Sequence, residues 1–404
     1  MLRILCIYVS LLLVMPFAKA GKFEGVKSVS IDSAYVPMLA SNRAMWGFGL
    51  EWEYLGMTLF DGVSDGTFVG QTFPTRLAWG VGMHLGWMFP QYAFFVSNHE
   101  LGHGTRMIAQ GGSPRYTWNS GGGSHTSIFS FFMLGLFKHG DGAYAQSVRS
   151  SGRAPSGWEL VIGQGGMNNS MMFAEALEDE VATNGGHINQ LLAYYRAKKD
   201  PYEYALSTER GFEGDISNTQ SMLAALGISV STQDYKTGAI VSGALSSTTW
   251  SYLYSFVRYV ATGNPNVSHP RIGALRLPNV SFFQNRSGLS FRTRSALDYS
   301  DHAIPFSLEA VYRGRTAVEA SVGYQSLVSQ GSKKRVGFGL QGYASTLGGA
   351  GFRISQESQA SQSTLLGYGG SVYTSNSLEG ERNGGRWLSS FLALDLWARL
   401  RFIF

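Results

Sequence analysis

The sequence predicts an α+β chain, a helical region followed by an antiparallel, barrel-like β-domain, and three observations carry that expectation. A stretch free of Asp, Glu, Lys and Arg, Leu77 to Asn98, leads directly into His99-Glu100-x-x-His103 with apolar residues at helical spacing around it. From about Val280 onward the apolar period changes to two. Charged residues make up only 15% of the chain, beside 51 glycines and 13% aromatics, a mixture that leans towards a membrane-associated or β-rich protein. The 404 residues divide in expectation into a leader at 1–20, a mixed segment at 21–73, a helical region at 74–265 and a β-domain at 279–404.

Residues 1–20 read as an export signal: Arg3, an apolar run from Ile4 to Phe17, then Ala18-Lys19-Ala20 before Gly21. An uncleaved anchor is the alternative, but an apolar run of about 14 residues falls short of the roughly 20 that span a bilayer. Cys6 is the only cysteine, so disulfides and thiol chemistry are excluded from the exported chain. A net charge of +5 without a long basic run gives no reason to expect nucleic acid.

In the mixed segment, Trp46 to Tyr54 alternates as a strand does, and Asp61-Gly62 and Asp65-Gly66 supply turns. Leu77 to Asn98 is expected as a buried helix pair broken near Pro90. Gly111-Gly112 and Pro114 stop the helix that carries the histidines. Gly111 to Ser124 then forms a loop beside a cleft, and Ile128 to Phe137 a short buried helix. Asn168 to Thr183 is a helix with Glu175, Glu178, Asp179 and Glu180 crowded at one end. Lys198-Lys199-Asp200-Pro201 reads as a breaker, and Thr237 to Val257 as a second buried helix pair.

In the β-domain, Phe306-x-Leu308-x-Ala310-x-Tyr312, Val318-x-Ala320-x-Val322-x-Tyr324 and Val336-x-Phe338-x-Leu340 alternate apolar with small or polar residues. The last strand places Leu392, Leu394, Leu396, Ala398, Leu400, Phe402 and Phe404 on one face, with Asp395, Arg399 and Arg401 on the other. Such strands are lipid-out and polar-in. Six to eight of them make a small barrel only if the higher count holds or if N-terminal strands join. A soluble antiparallel sheet is the alternative. A terminal Phe on such a strand resembles the C-terminal assembly signal of bacterial outer-membrane barrels.

Two imidazoles four residues apart share one helix face and can hold a single zinc ion, with Glu100 beside it. With 8 His and 27 acidic residues in the chain, chance supplies roughly 0.01 such strings. Two neutral imidazoles leave the charge of the metal largely intact, so a water there becomes a nucleophile and Glu100 its base. The third ligand is expected from Glu175, with Glu178, Asp179 and Glu180 as alternatives, and Asp179 can accept a hydrogen bond from a liganding histidine. His84, His125 and His139 are weaker metal candidates, and His187 a candidate oxyanion donor.

His99-Glu-Leu-Gly-His103 followed by Glu175-x-x-x-Asp179 resembles the gluzincin arrangement of zinc metallopeptidases, in the branch of the prenyl-protein endopeptidases and their periplasmic quality-control relatives. The resemblance covers about a fifth of the chain, and it departs from that branch where Glu178-Asp179-Glu180 stands in place of a Glu-Ala-Asp triplet. It implies a zincin-like helical region and a zinc endopeptidase with His99, His103 and Glu175 as ligands, Glu100 as general base and Asp179 behind a histidine. The partners expected are a polypeptide substrate from the envelope and outer-membrane lipid, and the place the outer membrane of a Gram-negative-type bacterium, or else its periplasm. Two other functions compete: a non-catalytic outer-membrane protein with an inactive zincin-like insert, and an intramembrane site-2-type protease. The latter is disfavoured because no Leu-Asp-Gly partner follows the motif.

Overall fold

A computed structural model describes residues 28–32, 42–66, 72–138, 142–147, 157–212, 214–330, 333–361, 364–383, 386–389 and 391–403; the expected leader and His139 lie outside them. After strand β1 (Ser28–Asp32), residues Asn42–Gly66 form helix α1, where alternation suggested a strand and turns. Burial explains the difference: Met45, Phe48, Trp52 and Phe60 recur at helical spacing and pack into one core.

Helix α2 (Phe73–Ala109) is continuous through Pro90, so the expected break is absent. Proline removes one donor and crowds the preceding turn, yet buried Trp87, Gln91, Ala93 and Phe94 pin the helix on both sides of it. Thr72 and Thr75 cap its start, and Gly111 at φ 86° ends it in a left-handed conformation. The loop expected next contains β2 (Pro114–Trp118) and β3 (Ser124–His125), which form a small sheet with β4 (Ala143–Ser147) on the far side of helix α3 (Ile128–Gly135) in the chain.

Helices α4 (Trp158–Gly163), α5 (Gly165–Asn184), α6 (Leu191–Glu209), α7 (Asp215–Ala225), α8 (Thr232–Leu245) and α9 (Ser247–Thr262) follow, with the short strand β5 (Gly186–His187) after α5. Pro201 also lies inside a helix rather than breaking one, which leaves Asp200 and Tyr204 four residues apart on one face of α6.

Strands β6 (Asn266–Val267), β7 (Arg271–Ile272), β8 (Leu275–Arg276), β9 (Asn279–Asn285), β10 (Gly288–Asp298), β11 (His302–Gly314), β12 (Val318–Gln330), β13 (Lys333–Ser345), β14 (Ala350–Ser361) and β15 (Thr364–Thr374) lead to a short helix α10 (Leu378–Asn383), β16 (Arg386–Trp387) and β17 (Leu392–Ile403). Among the described residues they build a 12-stranded antiparallel sheet ordered β1-β17-β15-β14-β13-β12-β11-β10-β8-β7, with β16 on β17 and β9 on β10. The N-terminal strand does join, Ser28 opposite Ile403, but the hydrogen-bonded sheet does not close into the barrel that was expected. Helices bridge the opening instead: β1 packs on α1, α1 on α2, α2 on α9, α9 on α8, and α8 on β9.

Sheet polarity is the reverse of a soluble protein's. Leu308 and Val322 are more than half exposed, whereas Glu309 and Glu319 on the opposite face are buried. Inward-facing charges meet the helices, Arg292 pairing with Glu379 at 2.9 Å and Arg294 with Asp179 at 3.1 Å, or pair within the sheet, as Arg335 does with Glu357 at 2.9 Å. A cavity of about 470 Å³ between α5 and the sheet is lined by these groups.

Candidate metal centre

The site is built where α2 crosses the start of α5. Gly102 and Gly165 meet backbone to backbone: a Cβ on Gly102 would lie 2.2 Å from the Gly165 carbonyl oxygen. Gly166 makes room for a ring in the same way, since its Cβ would lie 2.1 Å from His99 Nε2. The His99 and His103 rings, one turn apart on α2, lie 5.0 Å from each other.

Both Nε2 atoms face one carboxylate oxygen, Asp215 Oδ2, at 2.8 Å from His99 and 3.1 Å from His103. Asp215 is the first residue of α7, and one ligand atom from each of the three residues lies within 4.8 Å of the others. The opposite nitrogens are also engaged. His99 Nδ1 donates to Asp200 Oδ2 at 3.1 Å, and His103 Nδ1 donates to the Ile162 carbonyl at 2.6 Å. Those bonds leave each Nε2 as the inward-facing atom, which is how second partners orient metal-liganding histidines. Tyr204, one turn beyond Asp200, stacks on His99 with the rings 4.6 Å apart and 1° from parallel, and so holds the ring from its face.

Electrostatics follow from this packing. Burial acts to lower the His99 pKa, but Asp200 and Asp215 outweigh it and raise the pKa well above the usual value. For His103 burial is likewise outweighed, by Asp215. The Asp215 carboxyl, which burial would raise, is held below its ordinary range by the two imidazoles.

Glu100, between the two histidines on α2, is buried. Burial raises its pKa, the neighbouring His103 and His99 partly offset this, and the Ala145 N–H of β4 donates to it. Its Oε2 is buried without a hydrogen-bond partner, an uncommon state for a carboxylate oxygen and one suited to accepting a proton.

Glu175 is not in this group; the carboxylate that meets the two imidazoles is that of Asp215. Its carboxylate pairs with Arg294 at 3.2 Å and Arg292 at 3.4 Å. Nine residues separate it from Gly166, which touches His99, or about 13 Å along the helix. The other acids of α5 are also engaged elsewhere: Glu178 with Lys198 at 2.8 Å, Asp179 with Arg294, and Glu180 with the Tyr54 hydroxyl. Asp200 therefore holds the position behind a histidine expected of Asp179. The His84 ring nitrogens lie within hydrogen-bond distance of the main-chain oxygens of Gly80 and Ile188, His187 pairs with Asp61 at 3.1 Å, and His125 lies against Phe131. None of the three belongs to the group around Asp215.

Sequence reasoning missed Asp215 and Asp200 for different reasons. An acid opening a helix, as in Gly214-Asp215, is an ordinary helix start and carries no mark of metal chemistry. Asp200 was hidden by Pro201, which argued for a break just where the helix continues.

Two imidazole nitrogens and one carboxylate oxygen, each histidine held by a second bond, match the donor set of a zinc site that keeps a fourth position open. No family model, curated protein or solved structure matches the chain.

Proposed function

We propose that the chain is a zinc-dependent endopeptidase of the bacterial cell envelope, with its sheet anchored in the outer membrane. The observation that carries the reading is the convergence of His99 and His103 Nε2 on Asp215 while Asp200 and the Ile162 carbonyl hold the other nitrogens. Zinc, when bound, supplies Lewis acidity that polarises a peptide carbonyl and brings the pKa of water towards about 7. His99, His103 and Asp215 would hold it. Glu100 takes the proton of the attacking water on its unpartnered oxygen and returns it to the leaving amine nitrogen. Strand β4, whose Ala145 N–H reaches Glu100, pairs only with β2 among the described residues and packs on α2 beside the site.

Support for the membrane anchor is the apolar outward face of the sheet, where Val322, Leu308 and Phe352 are each more than half exposed. No helix among the described residues is long and apolar enough to cross a membrane by itself. Glu100→Gln tests the mechanism. Zinc content should stay near that of the wild type while casein cleavage falls by about 10²–10⁴-fold, the range of a lost general base. Cleavage that survives the change removes Glu100 from the reaction. Absence of stoichiometric zinc from the purified wild type favours the non-catalytic alternative instead.

A further inference from the structure

Two stretches expected in the interior turn apolar faces outward. Along α2, the exposed large side chains are Phe73, Leu77, Val81, Leu85 and Phe89, one every fourth residue. Ala78, Gly82 and Gly86 fill the exposed positions between them, and no charged residue occurs from Leu77 to Asn98. Along α9, Trp250, Leu253, Tyr254 and Val257 are exposed while Thr248, Ser251 and Ser255 are buried. A helix facing water has the opposite arrangement.

The two stripes lie side by side. Arg76 on α2 donates to the Val260 and Ala261 carbonyls at 2.9 and 2.8 Å, Gly80 packs against Phe256 and Tyr259, and the His84 ring meets Phe256 edge-on at 5.8 Å. Rising numbers on α2 meet falling numbers on α9, so the helices are antiparallel neighbours. From Phe73 to Phe89 the stripe runs about 24 Å, close to the roughly 25 Å apolar band of outer-membrane sheets. Cations mark its ends: Arg76 and Arg258 at one, and Arg196, bonded to the Met88 carbonyl, at the other.

We propose that the α2–α9 wall faces lipid acyl chains, completing the apolar belt where the sheet stays open. The proposal rests on the membrane anchor above but not on the peptidase chemistry. Lipid fits better than a second copy of the chain. The outward face of the sheet is inverted in the same way, and a chain of helix contacts joins the wall to both ends of the sheet. A second copy would cover one side only. The consequence concerns substrate. His99 lies ten residues beyond Phe89 on the same helix, about 15 Å further along its axis. The metal centre is thus carried just outside the belt, where it meets peptide segments at the bilayer surface rather than within it.

Cys6 is the sole cysteine, so a Cys6→Ser background accepts single labels. A fluorophore on Val81→Cys or Val257→Cys is reconstituted in phosphatidylethanolamine–phosphatidylglycerol vesicles. These carry phosphatidylcholine with a nitroxide midway along one acyl chain. Quenching severalfold above that at Asp301→Cys, an exposed turn position, is expected. Quenching no greater than at Asp301→Cys overturns the proposal, including the case in which a second copy shields the label from aqueous thiol reagents. Val322→Cys on the sheet separates the two readings: quenched there but not at Val81, the anchor stands and the wall fails; quenched at neither, both fail.

Discussion

At the His99–His103 pair, position separates the proposed metal donor from an ion-pair partner. Asp215 Oδ2 lies within hydrogen-bond distance of both inward nitrogens, whereas both acidic oxygens of Glu175 are turned to arginines. The two positions therefore respond differently to truncation. On the zinc reading proposed above, Asp215→Ala removes one of three donors and is expected to purify with little zinc, while Glu175→Ala keeps its zinc. The cost of Glu175→Ala appears in stability, at about 1–3 kcal/mol, the loss of a charge-assisted hydrogen bond from Arg292 and an ion pair with Arg294, arginines that retain other partners. Metal analysis and urea unfolding of the two variants side by side check this, and equal zinc loss in both would return Glu175 to the site. The histidines were legible in the sequence because four residues of helix fix their relation with no help from the rest of the chain. Asp215 was not, because it comes to His103 from 112 residues away and is placed only by packing. The acid-rich end of α5 gave a real signal whose partners are arginines of the sheet, a pairing that a pattern of carboxylates alone cannot reveal.

Helix α2 is the element on which both readings of function rest, and its glycines separate tight from open packing. Gly102→Ala forces a Cβ onto the Gly165 carbonyl, which is backbone and cannot swing away. A loss of about 3 kcal/mol with reduced zinc retention is expected, since the shift is transmitted to His103. Gly82→Ala meets nothing within 4 Å, so it should leave stability unchanged or raise it by up to about 1 kcal/mol. Thermal melts of the two variants decide whether the crossing is as close as described. A second element makes a pH prediction. Asp234 near the start of α8 accepts from the Ser231 N–H and hydroxyl, both at 2.8 Å, and from Arg313 at 3.0 Å. Burial acts to raise its pKa, and these bonds outweigh it, so the folded value lies below the ordinary 3.8. A depressed acid stabilises the fold above its unfolded pKa and loses that contribution as pH falls through the folded value. The melting temperatures of wild type and Asp234→Asn should therefore differ at neutral pH and converge below about pH 3.8. A difference that persists undiminished in acid would show that the carboxylate is not the cause. The prolines at 90 and 201 misled the sequence reading because local chain preference is outvoted by buried neighbours on either side.

Over the whole molecule, the sheet was legible and its closure was not. Alternation is a local property, so β11, β12, β13 and β17 could be read residue by residue, and the polarity of their faces with them. Closure depends on what meets the two edges, and here that is helix rather than strand. Helices and sheet are fastened together at Arg382 on α10. Its guanidinium lies 4.6 Å above the Phe283 ring, bonds Glu379 at 2.7 Å, and pairs with Glu309 of β11. Its carbonyl accepts from Arg106, three residues beyond His103. Glu319 of β12 accepts from the main-chain N–H groups of Leu378 and Glu379 at 2.9 and 2.8 Å, fixing the start of α10 against the sheet. Arg382→Met should cost about 3–5 kcal/mol, because it leaves Glu309 buried without its cation. Glu379 suffers less, since Arg292 and Arg353 remain beside it. Adding Glu309→Leu removes the stranded charge and should restore most of the loss. If α10 couples the metal helix to the sheet, zinc release and sheet unfolding will move to lower denaturant together in Arg382→Met. Both will move back together in the double variant. Two separate transitions, with zinc release unmoved, would mean that the helices and the sheet unfold independently and that Arg382 stabilises the sheet alone.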